Sequence, residues 1–354
     1  MWVLDTSVDY IIVGLGLAGI AFAEELKKQG KSFLVFEDHS QTSSLVAGGM
    51  YNPVILKRFT PVWNAKEQLD LAIPFYLTLE KDLSASFDQP LAIYRTFKSI
   101  EEQNNWFVAS DQPILKEFMH PELVKVESKS VIAPYQAGKL YHTGRIRVRE
   151  LVSMYREHLK NNNCLVEETF RHDRVITWDS HIDYGHISAN KIVFCEGNGV
   201  KSNPFFKKLP LNGTKGELLT IYAPELKLDY VIKSAVFIMP LGNDLYKVGA
   251  TFNWSDKTND PTAEGKKELE DKLKTVINCK YKITDHEAGV RPTTGDRKPL
   301  LGVHRDNHRL AILNGLGTRG VMIAPLMAKK LYQFLENDVP LDKEIDIKRF
   351  KQKN

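Results

Sequence analysis

Two groups of residues have types and spacings with chemical meaning. The first is Gly14-Leu15-Gly16-Leu17-Ala18-Gly19, set between the apolar run Tyr10 to Val13 and an amphipathic stretch that ends at Gly30. Glycines so spaced allow a sharp turn at Gly14, let backbone approach a pyrophosphate at Gly16, and bring helix close to strand at Gly19. A helix starting there turns free N–H groups and the positive end of its dipole toward the phosphates. Glu37 closes the next apolar run, FLVF, where a ribose hydroxyl pair needs an acceptor and a carboxylate disfavours a 2′-phosphate. A plain glycine-rich turn is the competing reading. The strand before, the helix after and the acid in register favour a dinucleotide, without choosing FAD over NAD. The second group is GLGTRG, Gly315 to Gly320, between a strand at Ala311 to Asn314 and a helix at Val321 to Leu335. A chain that opens and closes with the same device closes both sides of one long cofactor.

Between these groups the pattern changes texture. DHSQTSSLVAGGMYNPV shifts from polar to small residues and reaches Gly48-Gly49, which suits either a backbone lying flat on a planar ring or a loop with a glycine hinge. Lys57 and Arg58 follow, as solvated charges or as neighbours of an anionic site. Helical spacing over Asn64 to Leu83 marks a core stripe. Residues 90–140 alternate like strands, with a short helix at Ile100 to Ala109, and Tyr141 to Leu159 returns to a turn and a long helix. Strand-like runs come at Leu165 to Val166, Arg174 to Trp178 and Lys191 to Cys195, the last delivering Gly197 and Gly199. Residues 211–253 read as β structure, and Asn259 to Lys274 as a helix capped by Thr262.

A chain of 354 residues can bury a large core and divide into two domains. A formal charge of +4 is too small to argue for nucleic acid. Three widely spaced cysteines, Cys164, Cys195 and Cys279, argue against a disulfide framework or zinc site and fit a reducing compartment. The uncharged run Tyr10 to Ala23 is too short and glycine-broken for a membrane span. Asp5 and Asp9 stand where a signal peptide needs basic residues. A cytoplasmic protein without a metal is the expectation.

The ordered blocks DYIIVGLGLAG, SSLVAGGMYNP, IVFCEGNGV, FIMPLGNDLYKVGAT, AGVRPTTGDRKPLLG and NGLGTRGVMIAPLMAKKL resemble the FAD-dependent D-amino acid oxidase superfamily. That superfamily takes in glycine oxidase and the flavin domain of a bifunctional tRNA-modifying enzyme. The resemblance implies an α/β and α+β fold. A discontinuous Rossmann-like FAD-binding domain would comprise 1–88, 141–210 and 287–354, and a mainly antiparallel substrate domain 89–140 and 211–286. It places Val13, Gly14, Gly16, Leu17, Ala18 and Gly19 at the pyrophosphate and Glu37 with Asp38 at the ribose. Ser43, Ser44, Ala47, Gly48, Gly49 and Met50 would lie along the flavin. Val175, Glu196, Gly197 and Asn198 would sit on the adenine and ribose side, and Gly315, Gly317, Thr318, Arg319, Gly320 and Val321 at the flavin's carbonyl edge.

Arg291 falls where that family grips the substrate carboxylate, and a guanidinium suits this through two parallel hydrogen bonds. A structural ion pair is the alternative, with Asp296 and Arg297 close in sequence. Gly49, Met50 and Phe237 would line the substrate pocket, Phe237 replacing a tyrosine whose hydroxyl helps hold the carboxylate. The implied activity is FAD-dependent oxidation of an amino acid or N-substituted glycine. His142, His286 and His304 are the available proton carriers, each more simply read as a surface or core histidine. A second reading is tRNA wobble-uridine modification, with Lys201, Lys207, Lys208, Lys215 and the tail KRFKQKN at phosphates. A third is a flavin-binding module without catalysis.

Overall fold

The computed structural model describes residues 6–350; Asp5 and the last four residues of the basic tail lie outside them. The uninterrupted apolar run Tyr10 to Val13 is the buried half of β1 (Thr6–Val13), which passes through the glycine turn into α1 (Leu17–Lys28) and returns as β2 (Phe33–Phe36). A short helix, α2 (Ser43–Val46), leads into β3 (Met50–Tyr51), β4 (Val54–Ile55) and β5 (Thr60–Pro61). Helix α3 (Ala65–Asp82) buries Leu69, Tyr76 and Leu79 of the stripe its spacing predicts, and Ala72 with them, whereas Ile73 is half-buried and Leu77, expected in the core, is exposed. Next come β6 (Asp88–Pro90), β7 (Ile93–Thr96), α4 (Ile100–Ser110), β8 (Met119–Val124), β9 (Ala137–Leu140), β10 (Gly144–Ile146) and α5 (Val148–Asn161).

The strands β11 (Leu165–Val166), β12 (Val175–Thr177), β13 (Ile182–Tyr184) and β14 (Ile187–Phe194) precede the β-rich middle. That middle holds β15 (Thr214–Tyr222), β16 (Val231–Lys233), β17 (Phe237–Gly242), β18 (Leu245–Gly249), α6 (Ala263–Lys274) and β19 (Lys282–Arg291). The chain then forms β20 (Leu300–His304), β21 (Asn307–Asn314) and α7 (Gly320–Glu336). Helix α6 starts four residues later than the sequence pattern from Asn259 suggests. Pro261 keeps Asp260 out of helical geometry, and the Asp260 carbonyl accepts a bond from Lys215 Nζ. Thr262 caps α6 as expected, its Oγ1 accepting the Gly265 N–H at 3.0 Å.

Two sheets organise these elements. In the first, β11, β2, β1 and β14 run parallel in that order, and β21 extends the parallel set along the C-terminal half of β14. Val13 pairs with Phe36 and with Phe194, and Phe194 with Ile312, so four strand ends stand level. Open parallel sheets bind ligands beyond such carboxyl ends. The second sheet runs β19, β15, β18, β17, β16, β7, β9, β8 and is antiparallel except between β16 and β7. One of its faces packs Leu219, Ile221, Ile238 and Val248 against Leu269 and Leu273 of α6. The opposite face, with Leu218, Phe237 and Met239, joins the core built around α1, α3 and α7. Among the described residues no helix is long and apolar enough to cross a membrane.

Candidate functional site

The level strand ends and the second sheet enclose one cleft. Gly14, at φ +101°, makes the sharp turn, and a Cβ there would lie 2.7 Å from the Cys195 carbonyl oxygen. A Cβ on Gly19 would lie 2.0 Å from the Gly14 carbonyl oxygen, so helix and turn touch backbone to backbone. Gly16 differs. A Cβ there would meet only Ser44 Oγ at 3.1 Å and would otherwise enter the cleft. The first N–H groups of α1 have no carbonyl within the helix to bond. Leu17 N–H donates only a long bond, 3.4 Å, to Ser44 Oγ.

Glu37 is buried at the tip of β2, its Oε2 accepting the Leu15 N–H at 2.7 Å and its Oε1 the His39 N–H at 3.1 Å. Each oxygen keeps a lone pair for a hydroxyl donor. Ser43, Ser44 and Ala47 to Met50 line the cleft wall. Gly49 is held at φ +74° because a Cβ would lie 2.0 Å from the Ile146 carbonyl oxygen, a constraint imposed by β10.

The C-terminal turn meets the N-terminal one. A Cβ on Gly320 would lie 3.0 Å from Leu17 Cδ1, so the N-termini of α1 and α7 are neighbours, and Gly317 to Val321 line the same cleft as Gly14 to Ala18. Asn314 fixes this junction, donating to the Gly197 carbonyl at 2.9 Å and accepting the Gly315 N–H at 2.8 Å. Arg319 lines the cleft too, and burial, with Arg297 adding repulsion, lowers its pKa.

Arg291 ends β19 facing this space. Its guanidinium lies over Gly216, where a Cβ would fall 1.8 Å from Nη2, stacks at 4.8 Å on the Phe252 ring, and donates to the Thr251 carbonyl at 3.2 Å. Burial alone lowers its pKa to about 10; no carboxylate offsets it. The structural ion pair is not formed, because Asp296 is taken by Arg349 at 2.8 Å. Phe237 Cζ comes 3.5 Å from the position of a Gly48 Cβ, so its apolar ring faces the Gly48 wall of the cleft.

Some expected residues lie outside the cleft lining. Val13 and Gly19 are packed inside the strand and helix, Asp38 turns to Ser40 N–H, and Gly315 packs against Leu300 and Thr294. Val175 stands in β12, paired with Tyr184. Glu196 is spent within the fold, 2.8 Å from His172 Nε2 and accepting from Asn203 Nδ2 at 2.7 Å, while Asn198 Oδ1 faces Gly213. Neither His142, His286 nor His304 reaches the lining; His286 Nε2 lies 2.8 Å from Glu217 Oε2 on the far face of the second sheet. Lys57 and Arg58 are exposed. Lys215, expected at a phosphate, is instead fully buried, its Nζ 2.5 Å from Asp256 Oδ2. Sequence reasoning missed Gly216, Phe252 and Lys233 as lining residues. A lone lysine in the apolar run YVIKSAVF was the available signal for the last.

The model of the DAO family, FAD dependent oxidoreductase, matches residues 9–333. The chain belongs to this family. Glycine oxidase of Bacillus subtilis is 25% identical over 95% of this chain and 94% of its own length. The tRNA 5-methylaminomethyl-2-thiouridine biosynthesis bifunctional protein MnmC of Marinobacter nauticus is 23% identical over 91% of this chain, which spans 54% of that protein. Glycine oxidase from Geobacillus kaustophilus superposes with a TM-score of 0.77 at 20% identity, covering 96% of this chain and 97% of that one, a likeness of fold. This DAO-family chain is an FAD-dependent oxidoreductase of the amine and amino acid class. Its cleft fits the cofactor. The open side of Gly16 leaves space for a pyrophosphate, two helix N-termini converge on that space, and buried Glu37 at the end of β2 keeps lone pairs for hydroxyl donors.

Proposed function

We propose that this DAO-family enzyme oxidises the C–N bond of a small amino acid or N-substituted glycine whose carboxylate is gripped by Arg291. The observation that carries the reading is a part-buried guanidinium, without a carboxylate partner among the described residues, in the same cleft as both glycine turns. A buried cation left unpaired is costly, and a substrate carboxylate removes that cost while fixing the substrate's orientation.

In this reading the first sheet, with 1–88, 141–210 and 287–354, is the cofactor domain, and 89–140 with 211–286 the substrate domain. Strand β19 runs through residue 287 and so carries Arg291 from one toward the other. Gly14 to Ala18 and the N-terminus of α1 hold the pyrophosphate, and Glu37 the ribose. Ser43 to Met50 lie along the ring, with Gly317 to Val321 at its carbonyl edge. Bound FAD supplies the acceptor for a hydride from the substrate's α-carbon, and water splits the imine that leaves. The α7 N-terminus and Arg319 supply positive charge where negative charge then gathers. Phe237 contributes an apolar wall and no hydroxyl. An amine that enters neutral needs no protein base, in keeping with a lining free of histidine among the described residues. The three cysteines stand unbridged, which suits a cytosolic setting.

The test is anaerobic mixing of the holoenzyme with glycine, sarcosine and D-amino acids while following the flavin's visible absorbance. Bleaching by at least one is expected; bleaching by none overturns the reading. A second reading, a nucleic-acid-borne N-substituted glycine of the kind the MnmC name suggests, draws support from exposed aromatics beside the cleft. Phe252 is 60% and Trp254 54% exposed in one turn, positioned as stacking surfaces for bases. Lys201, Lys207 and Lys208 are exposed as well. Salt-dependent binding of tRNA would favour this second reading, and its absence the first.

A further inference from the structure

Three cations in the cleft lining, Arg291, Arg319 and Lys233, have no ion-pair partner among the described residues. Arg319 stands on the cofactor turn and Arg291 at the substrate carboxylate. Lys233 is left over. It sits on β16, in register with Phe237 of β17, which pairs with Gly249 of β18, which pairs with Leu218 of β15. Residues paired in register point to the same face, so Lys233 faces the cleft together with Leu218 and with Gly216, over which Arg291 lies.

The Lys233 ammonium rests 5.7 Å from the Phe237 ring centroid. Its cationic neighbours are already committed: Arg95 on β7 is bound by Glu102 at 3.1 Å, and Lys272 on α6 by Glu268 at 2.6 Å. From β15 to β16 the sheet crosses three strand spacings, roughly 14 Å between backbones, which both long side chains shorten by leaning inward. The floor between the two charges is apolar or bare: Gly216, Leu218, Gly249 and Phe237.

We infer that Lys233 is a specificity-determining residue that binds a second acid group, so that the preferred substrate is an amino diacid held at one end by Arg291 and at the other by Lys233. This deepens the proposed function and rests on Arg291 being the carboxylate anchor. Burial first, then Arg95 and Lys272, lowers the Lys233 pKa to about 8, so the ammonium is charged at neutral pH and discharges in the mildly alkaline range.

The experiment titrates the holoenzyme with unreactive acids in chain-matched pairs, glutarate against pentanoate and adipate against hexanoate, reading the flavin's absorbance change. At pH 7 the best diacid is expected to bind at least tenfold more tightly than its monoacid. Lys233→Met should abolish that ratio and Lys233→Arg keep most of it. In the wild type alone, raising the pH from 7 to 9.5 should collapse the ratio. Equal affinities in the wild type, a ratio that survives Lys233→Met, or a ratio indifferent to pH would each overturn the inference. If neither monoacids nor diacids bind, the Arg291 reading falls and this one with it; if monoacids bind and diacids gain nothing, only Lys233 is misassigned.

Discussion

Arg291 keeps its charge where water is scarce, over a glycine and under an aromatic ring. Arg291→Met should lower kcat/KM for a carboxylate-bearing amine by about two to three orders of magnitude, the scale of losing a buried charge-assisted pair. Bound flavin should be unchanged, as absorbance of the purified variant will report. Gly216→Ala tests the same grip indirectly. Its Cβ would fall 1.8 Å from Nη2 and must displace the guanidinium, so KM should rise by about tenfold with kcat less affected in steady-state assays. The pH dependence follows from the lowered pKa. Arg291 binds carboxylate while protonated, so affinity should hold from neutral pH upward and fade as pH rises through about 10.

At the scale of elements, Gly16 and Gly19 belong to one motif and serve different masters. Gly19→Ala forces a Cβ to 2.0 Å from the Gly14 carbonyl oxygen and should destabilise even the apoprotein, by about 1–3 kcal/mol in urea unfolding. A Cβ on Gly16 meets only the Ser44 hydroxyl, at 3.1 Å, which can turn aside, and otherwise enters the cleft, so in Gly16→Ala the apoprotein should be nearly unaffected while FAD affinity drops at least tenfold by fluorescence titration. The strand–turn–helix order was legible at both ends because apolar period and glycine spacing are local signals. The cap of α6 at Thr262 was legible too, with Pro261 ahead of it; the burial of Lys215, whose Nζ takes the Asp260 carbonyl, was not, because it reads as a surface lysine until β15 is folded. The far end of α7 carries a pH signature. Burial pushes the Glu336 carboxyl up, but bonds from Lys191 at 2.7 Å, Tyr10 and Lys31 outweigh it and hold the pKa at about 2. A depressed pKa stabilises the fold above the unfolded value, about 4.3, and the benefit is lost as pH falls toward 2. Glu336→Gln should therefore be less stable than wild type at pH 6 in urea, with the difference shrinking across that interval.

Across the whole molecule, residues 14–50 and 289–321 share one cleft, so the cofactor bridges segments far apart in the chain. FAD at a hundred times its dissociation constant should stabilise the fold by about 2.7 kcal/mol. Amide exchange should slow together at 16–20 and 317–322; slowing at one turn only would contradict a shared cleft. Both turns were visible before the fold because their motifs are compact in sequence, and Arg291 was visible through the family resemblance. Lys233 and Gly216 were not, because they meet Arg291 only through the cross-strand register of β15 to β18.

The position of β21 has a consequence for biosynthesis. It lies beside β14 in the first sheet, and the turn after it brings Leu316 to Val321 to the cleft, yet both emerge from the ribosome only after some three hundred residues of this sequence have been made. The nascent chain exposes its Gly14 loop early with nothing opposite to close it. Prosthetic-group loading must therefore await synthesis through Val321, and translation arrested before Asn314 should leave a colourless product.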